Sequence, residues 1–331
     1  MEAKYIIGVD GGGTKTDYLL FTTEGEFVDV LHVGSRSHEI LDGGFAEVEE
    51  TVLADITYLI SKNNLSASDI AAAAFGMAGI DTPSQLEKMN RIVAKSSLDN
   101  YIVANDSVLG IKAGCPSGVG ICSVNGTGSV TTGIDANGRI LQVGGIGQAT
   151  GDYAGGFIIA ALAVGALYDY YYRCGADTVL VEKLMNLFQL SGPDKLFNFI
   201  SERFYTERSL DKKIITILFD AANAGDEVSV EIVRSIAREQ AKSVSGCIRN
   251  LTFHETPEIV LAGSIWTKAY CPLLFSSFKE YITQYTGWKV EPFPLQVIPA
   301  AGAILWALEL ALRHPVTSEQ REKILRNMSN L

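Results

Sequence analysis

Two glycine- and threonine-rich loops, each between two predicted strands, carry residue types that bind phosphate. The first glycine loop reads Asp10-Gly-Gly-Gly-Thr-Lys-Thr16, and the second glycine loop reads Asn125-Gly-Thr-Gly-Ser129. Glycines let the backbone approach a phosphate and present successive N–H groups, and threonine hydroxyls add further donors. The first loop is neither a P-loop nor a dinucleotide fingerprint. The pattern predicts phosphate binding at both loops, with a simple tight turn as the alternative for each.

Two aspartates at predicted strand ends could supply the acid–base and metal chemistry. Asp10 ends the first strand, and a carboxylate beside phosphate needs a cation between them, so we expect Asp10 to partner Mg²⁺ through water. The alternative for Asp10 is an Asx turn. Asp106 follows a strand at 101–104 and opens an apolar helix. Asp106 is either a general base for an alcohol that attacks phosphorus or a helix cap.

The two glycine loops lie in a segment that occurs twice. Each copy reads as a strand, a glycine loop, a second strand, a Gly turn and a third strand, at 5–27 and at 119–141. Such repetition predicts two similar lobes. Alternating strands and helices follow the first copy, so we expect an α/β fold in which each lobe is a mixed sheet flanked by helices. The predicted domains are residues 1–112 with a C-terminal helix at 313–331, and residues 113–312.

Composition and charge exclude several classes of function. The chain has 331 residues and a net charge of -11, which argues against a nucleic-acid binder. Its five cysteines are scattered without CxxC spacing, which favours reduced thiols in a cytoplasmic protein. The longest apolar run, 153–168, is short for a membrane span and predicts a buried helix. We expect no nucleic-acid partner and no membrane partner.

Three further segments could contact a ligand. Residues 144–156 contain six glycines, and Asp152 precedes the apolar helix. This segment is either a flexible loop or a wall of a substrate site where Asp152 accepts hydrogen bonds from hydroxyls. His38, which follows the third strand, could reach a ligand. Gly263 and Ser264 follow a buried strand and form a helix entry against which a flat base could lie.

The order of these motifs resembles a known superfamily. Five segments of the chain resemble, in order, the five motifs of the superfamily of actin, hexokinase and the Hsp70 chaperones. These segments are Asp10–Thr16, Asn105–Asp106, Gly126–Ser129, Gly263–Ser264 and Ala301–Gly302. Within it, the chain resembles N-acetylglucosamine kinase and the BadF/BadG/BcrA/BcrD ATPase family. The resemblance covers essentially the whole chain. It implies two RNase H-like lobes with a central nucleotide cleft, ATP and Mg²⁺ as cofactors, and a homodimer.

The resemblance also implies roles for individual residues. Asp106 matches the catalytic aspartate that deprotonates a sugar hydroxyl, and Asp10 matches the aspartate near the metal. The implied nucleotide-binding residues are Gly11, Gly12, Gly13, Thr14, Lys15, Thr16, Gly126, Thr127, Gly128, Ser129, Gly263 and Ser264. The implied substrate-binding residues are His38, Gly79, Asp106, Gly145, Gly147 and Asp152. Two positions depart from the family's sugar-site segment, with Ile146 in place of Trp and Tyr153 in place of Glu.

These roles imply ATP-dependent phosphorylation of a sugar hydroxyl, with Mg-ATP between the lobes and Asp106 as the base. An amino sugar such as N-acetylglucosamine or glucosamine is the expected acceptor, although the departures at Ile146 and Tyr153 leave the sugar open. The alternative is an activator-type ATPase that drives a partner protein, like the activators of 2-hydroxyacyl-CoA dehydratase and benzoyl-CoA reductase. A sugar-sensing regulator is a third possibility, but it would typically add a helix-turn-helix before the first strand.

Overall fold

The first of two five-stranded sheets carries the first glycine loop. The computed structural model describes residues 4–328. The strands of this sheet are β1 (Tyr5–Gly11), β2 (Lys15–Thr22), β3 (Phe27–Gly34), β4 (Ile70–Met77) and β5 (Tyr101–Ala104), in the order β3-β2-β1-β4-β5. Strand β1 is antiparallel to β2 and parallel to β4, and β4 is parallel to β5. The helices that follow are α1 (Gly44–Lys62), α2 (Pro83–Val93) and α3 (Ser107–Gly114). The sheet is therefore mixed, as predicted.

The second sheet repeats this strand order. Its strands are β6 (Gly120–Asn125), β7 (Ser129–Ile134), β8 (Ile140–Gly144), β9 (Ile259–Ala262) and β10 (Phe293–Pro294), in the order β10-β9-β6-β7-β8. In both sheets the first strand of the copy lies between its second and fourth strands. The predicted α/β fold with two mixed sheets flanked by helices is confirmed.

Nine α-helices follow β8 in the described part of the chain. Their bounds are α4 (Gly156–Tyr172), α5 (Leu180–Phe188), α6 (Leu196–Phe199), α7 (Leu210–Asn223), α8 (Glu227–Asn250), α9 (Ser264–Thr267), α10 (Pro272–Thr286), α11 (Ala300–Leu312) and α12 (Ser318–Met328). Helix α10, in a region for which the sequence analysis named no helix, packs on α8 and buries Leu274, Phe278 and Ile282. Over residues 4–328, none of the helices combines the length and the apolar character that a membrane span requires. The cytoplasmic location stays a prediction.

Contacts between residues divide the chain into two compact units. The first unit holds the described residues up to 122, residues 132–140 and the described residues from 295 onward. The second unit holds residues 123–131 and 141–294. This division differs from the predicted domain ranges, chiefly because it assigns α11 to the first unit. The predicted ranges stay a prediction about domains.

Helix α11 packs on β1, β4 and α3 within the first unit, and glycines allow the close approach. A Cβ atom on Gly302 would overlap the backbone carbonyl of Leu109 in α3, and one on Gly8 in β1 would lie 2.7 Å from the backbone nitrogen of Ile304. Helix α12 also belongs to this unit, where Ile324 is buried and the Asn327 amide donates to the Gly25 carbonyl at 2.8 Å. Helix α3 is therefore fixed from the side of the C-terminal segment.

Candidate active site

The first glycine loop is a tight connection between β1 and β2. The Gly12 N–H donates to the Lys15 carbonyl at 2.9 Å, which leaves Gly13 and Thr14 exposed at the tip. A Cβ atom on Gly13 would meet no atom within 4 Å, so packing in this structure does not require a glycine there. The Lys15 ammonium lies 2.5 Å from the Asp17 carboxylate. Thr16 is turned inward, and its hydroxyl is buried with no hydrogen-bond partner among the described residues.

The two predicted functional carboxylates are both half-buried, and desolvation shifts both of their pKa values. Burial and the nearby charge of Asp17 raise the pKa of Asp10 to about 6, against an opposing effect of Lys15. Burial and the charges of Asp10 and Asp81 raise the pKa of Asp106 to about 7. The ionised form of a buried carboxylate loses hydration, and neighbouring negative charges disfavour it further. Asp106 therefore has the near-neutral pKa that suits a general base.

Asn105, and not Asp106, ties down the start of α3. The Asn105 side-chain oxygen accepts from the Ser107 N–H at 3.0 Å and from the Ser107 hydroxyl at 2.6 Å, and its amide nitrogen donates to Asp81 at 3.0 Å. In the described part of the chain, the Asp106 side chain accepts no capping hydrogen bond. This geometry argues against the helix-cap alternative, and the nearby backbone N–H groups of Ser107 and Asp106 only lower the pKa of the carboxylate against the larger effect of desolvation.

His38 and Gly79 are two of the predicted substrate-binding residues. They lie 41 positions apart in the sequence and come together in the fold. Gly79 has a φ of +79°, and a Cβ atom there would lie 2.9 Å from the Ser37 hydroxyl and 3.1 Å from His38 Cε1. The His38 ring stacks on Phe45 with centroids 4.2 Å apart, and its Nε2 lies 3.3 Å from the side-chain nitrogen of Gln85. Glycine at position 79 therefore makes room for the segment that carries His38.

The second glycine loop and the Gly263 turn meet within the second unit. The Gly126 N–H donates to the Gly128 carbonyl at 2.9 Å, and the Gly156 N–H at the start of α4 donates to the Gly126 carbonyl at 2.8 Å. Gly263 has a φ of +90° and packs so closely on the backbone of Asn125 that no side chain fits. The predicted nucleotide-binding segments 126–129 and 263–264 are therefore neighbours in the fold.

A cavity of about 460 Å³ lies beside these two segments. Its lining includes Thr127 and Ser264, and also Phe157, Arg208, Lys212 and Lys268. The guanidinium carbon of Arg208 lies 4.0 Å from the centroid of the Phe157 ring, a cation–π contact. The sequence analysis did not identify Phe157, Arg208, Lys212 or Lys268. Nothing in the local sequence marks them, because they come from separate segments and belong to no motif.

Asp152 holds the glycine-rich segment 144–156 in shape. One of its carboxylate oxygens accepts from the Gly145 N–H at 2.8 Å, and the other accepts from the Gly147 N–H at 2.6 Å. Both oxygens thus already bind the loop, and contact with a substrate hydroxyl stays a prediction. The departures from the family segment are exposed, with 57% of Ile146 and 43% of Tyr153 accessible to solvent.

Asp10 is the predicted Mg²⁺ partner in the first unit. It fits a Mg²⁺ site only if phosphates and water supply the other ligands of the ion. Across residues 4–328, no three His, Cys, Asp or Glu side chains are grouped so that they could hold a metal ion by themselves. Mg²⁺ commonly uses one or two carboxylates, several waters and the phosphates of its substrate. Asp10 suits such a site, because burial and the charge of Asp17 raise its pKa, and a nearby cation would stabilise its ionised form.

Comparison with known proteins places the chain in a family. Residues 7–307 match the model of the BadF/BadG/BcrA/BcrD ATPase family. The chain belongs to this family. It is 27% identical over 308 residues to the N-acetylmuramic acid/N-acetylglucosamine kinase of Clostridium acetobutylicum, covering 92% of this chain and 98% of that protein. It is 22% identical over 324 residues to the N-acetyl-D-glucosamine kinase of Dictyostelium discoideum, covering 93% and 99%.

A solved structure shows the same fold. The ROK hexokinase from Thermus thermophilus superposes with a TM-score of 0.57 at 16% identity, covering 93% of this chain and 98% of that chain. The predicted family is therefore confirmed, and the predicted enzyme class is the one that the names of these relatives carry. The individual site residues stay predictions.

The raised pKa of Asp106 predicts that this residue destabilises the ligand-free protein at alkaline pH. A group whose pKa rises on folding contributes its stability below the unfolded pKa, and that stability is lost as the pH rises through the folded pKa of about 7. Asp106→Asn should therefore increase the free energy of unfolding at pH 8, by an amount of the order of 2–4 kcal/mol, and by much less at pH 5. Urea unfolding without Mg²⁺ or nucleotide measures both values.

The exposed Asp42 provides a matched control, since Asp42→Asn makes the same chemical change where water already solvates the carboxylate. This control should leave the free energy of unfolding nearly unchanged at both pH values. An Asp106→Asn protein that is less stable than the parent at pH 8 would contradict the burial argument.

Proposed function

We propose that this protein is an ATP-dependent sugar kinase that phosphorylates a hydroxyl of an amino sugar. The observation that carries the proposal is the Asp106 carboxylate, which is half-buried, has a pKa of about 7 and does not cap the helix, because Asn105 does so. Its fold and family are those of proteins named as N-acetylglucosamine kinases. N-acetylglucosamine and glucosamine are the acceptors that we favour.

Asp106 acts in this proposal as the general base. Its carboxylate accepts the proton of the acceptor hydroxyl while the hydroxyl oxygen forms a bond to the γ-phosphorus of ATP. The bond from that phosphorus to the bridging oxygen breaks, and ADP leaves with its electron pair. A base with a pKa near the working pH balances the population of the ionised form against its strength as a proton acceptor.

Both glycine loops are assigned to the nucleotide phosphates. The absence of a side chain at Gly13 and at Gly128 is unexplained by packing, since a Cβ atom at either position would meet nothing within 4 Å. Neither residue has a positive φ, so backbone conformation does not require glycine there either. A close approach of phosphate oxygens to the backbone amides is the explanation that we favour. The position of the nucleotide between two lobes stays a prediction of the resemblance.

The cavity of the second unit is assigned to the adenosine of the nucleotide. The lining includes the stacked pair of Phe157 and Arg208, and Lys212 and Lys268 add positive charge that the Arg208–Asp211 ion pair offsets in part. An aromatic ring and a guanidinium plane are common stacking surfaces for bases. The adjacent second glycine loop then lies on the phosphate side of the same ligand.

Asp10 is the residue that we assign to Mg²⁺, held through water. When bound, the cation neutralises charge on the phosphate oxygens. Asp10 is suited to this role because burial and Asp17 already work against its ionised form, so a nearby positive charge stabilises the carboxylate. The positive charge of Lys15, which pairs with Asp17, already lowers the pKa of Asp10 against the effect of burial.

We assign the acceptor to Asp106 and to the segment where His38 and Gly79 meet. Gly145, Gly147 and Asp152 stay the contacts that the resemblance implies. The relative from Clostridium acetobutylicum is named for two acceptors, N-acetylmuramic acid and N-acetylglucosamine. Because Ile146 and Tyr153 replace the Trp and Glu of the family segment, both sugars belong in an acceptor screen. The family description names ATPases, so hydrolysis without an acceptor, as in an activator of a partner protein, is the alternative.

A homodimer is also proposed, through an apolar groove of the second unit. The groove has a volume of about 1100 Å³ and is lined by α4, α8 and the segment 197–205. Phe197 and Tyr205 are 65% and 60% exposed there, and exposed aromatic surface of this kind is typical of protein interfaces.

Light scattering should give twice the chain mass of 35.7 kDa. A single-chain mass would contradict this assignment.

The proposed function predicts ADP release that depends on a sugar. Coupled ADP release is measured with Mg-ATP and N-acetylglucosamine, N-acetylmuramic acid, glucosamine, N-acetylmannosamine, glucose or no acceptor. We expect one amino sugar to increase the rate well above the acceptor-free rate, because the base acts only on a bound hydroxyl. An equal rate without acceptor would favour the ATPase alternative, and no release under any condition would contradict both.

A further inference from the structure

A single buried hydroxyl joins the first glycine loop to the segment that carries His38. Ser35 Oγ donates to the Gly12 carbonyl at 3.0 Å and accepts from the Ser37 N–H at 3.1 Å. Ser35 is 7% exposed, so water does not compete effectively for either bond. One oxygen atom thus binds the backbone of two loops that lie 23 positions apart in the sequence.

Each of these two loops also has an anchor of its own. Gly11, next to Gly12, accepts from the Ala78 N–H at 2.6 Å, which holds the first glycine loop to the end of β4. Arg36 binds both carboxylate oxygens of Asp55 in α1, at 2.7 and 3.3 Å, which holds the other segment to that helix. Loss of the Ser35 hydroxyl should therefore leave both loops folded while it removes a direct bond between them.

We propose that Ser35 is a positioning residue that couples occupancy of the first glycine loop to occupancy of the segment at His38. This inference rests on the proposed function, in which the first site takes ATP phosphates and the second takes the acceptor. Phosphate on the loop amides fixes the Gly12 peptide, and its carbonyl then fixes the Ser35 hydroxyl. That hydroxyl holds the Ser37 N–H, next to His38. Linkage requires that the acceptor strengthen nucleotide binding by the same factor.

The test is the dissociation constant of a non-hydrolysable ATP analogue, AMPPNP with Mg²⁺, measured by calorimetry with and without the sugar that supports ADP release. In the unmodified protein the dissociation constant without sugar, divided by the constant with sugar, should exceed one. Ser35→Ala should reduce that ratio by about 3–10-fold or to one, as expected for the loss of one hydrogen bond. Ser35→Cys should also reduce the ratio, because the thiol is similar in size but a weak donor.

A remote hydroxyl provides the matched control. Ser96 donates to the Val93 carbonyl at 2.6 Å in the same unit, and Ser96→Ala should keep the ratio of the unmodified protein. Melting temperatures show that each variant is folded. The inference is overturned if both Ser35 variants keep the original ratio, or if the unmodified protein has a ratio of one. Failure of the proposed function is distinct, because it appears earlier as ADP release that no sugar stimulates.

Discussion

The structure depends on keeping one half-buried carboxylate near other negative charges at the start of a helix. Desolvation disfavours the ionised form of Asp106, and the charges of Asp10 and Asp81 disfavour it further. Such an arrangement costs stability and persists only where the surrounding fold imposes it. The same cost provides the chemistry, since a carboxylate with a pKa near 7 both exists ionised and accepts a proton readily at neutral pH.

The fold meets this constraint by fixing both ends of α3 without using Asp106. Asn105 binds the first turn through Ser107 and reaches back to Asp81. At the other end of α3, Arg321 of α12 donates to the carbonyl of Lys112 at 3.0 Å. Along its length, α11 approaches the helix so closely that position 302 admits only glycine. The C-terminal segment therefore supports the position of a residue some 200 positions earlier in the sequence.

Sequence analysis predicted the parts of the site that lie in continuous motifs, and missed the parts that the fold assembles. The two glycine loops and the repeated segment of three strands could be predicted because each copy is local. Whether Asn105 or Asp106 caps the helix could not be predicted, because both residue types can cap a helix. The partner of the Asn105 amide, Asp81, is also distant in sequence. Arg208 and Phe157 gave no local signal, because they come from separate segments and belong to no motif. Helix α10 did carry one, with Pro272 at its first position and apolar residues four apart.

The most direct test of this account is the turnover of Asp106→Asn with the sugar that supports ADP release. Asparagine keeps the size of the side chain and cannot take up the hydroxyl proton. The account predicts a kcat at least about 100-fold below that of the unmodified protein, with the affinity for AMPPNP and Mg²⁺ retained. A kcat close to that of the unmodified protein would contradict it, because Asp106 would then not be the base.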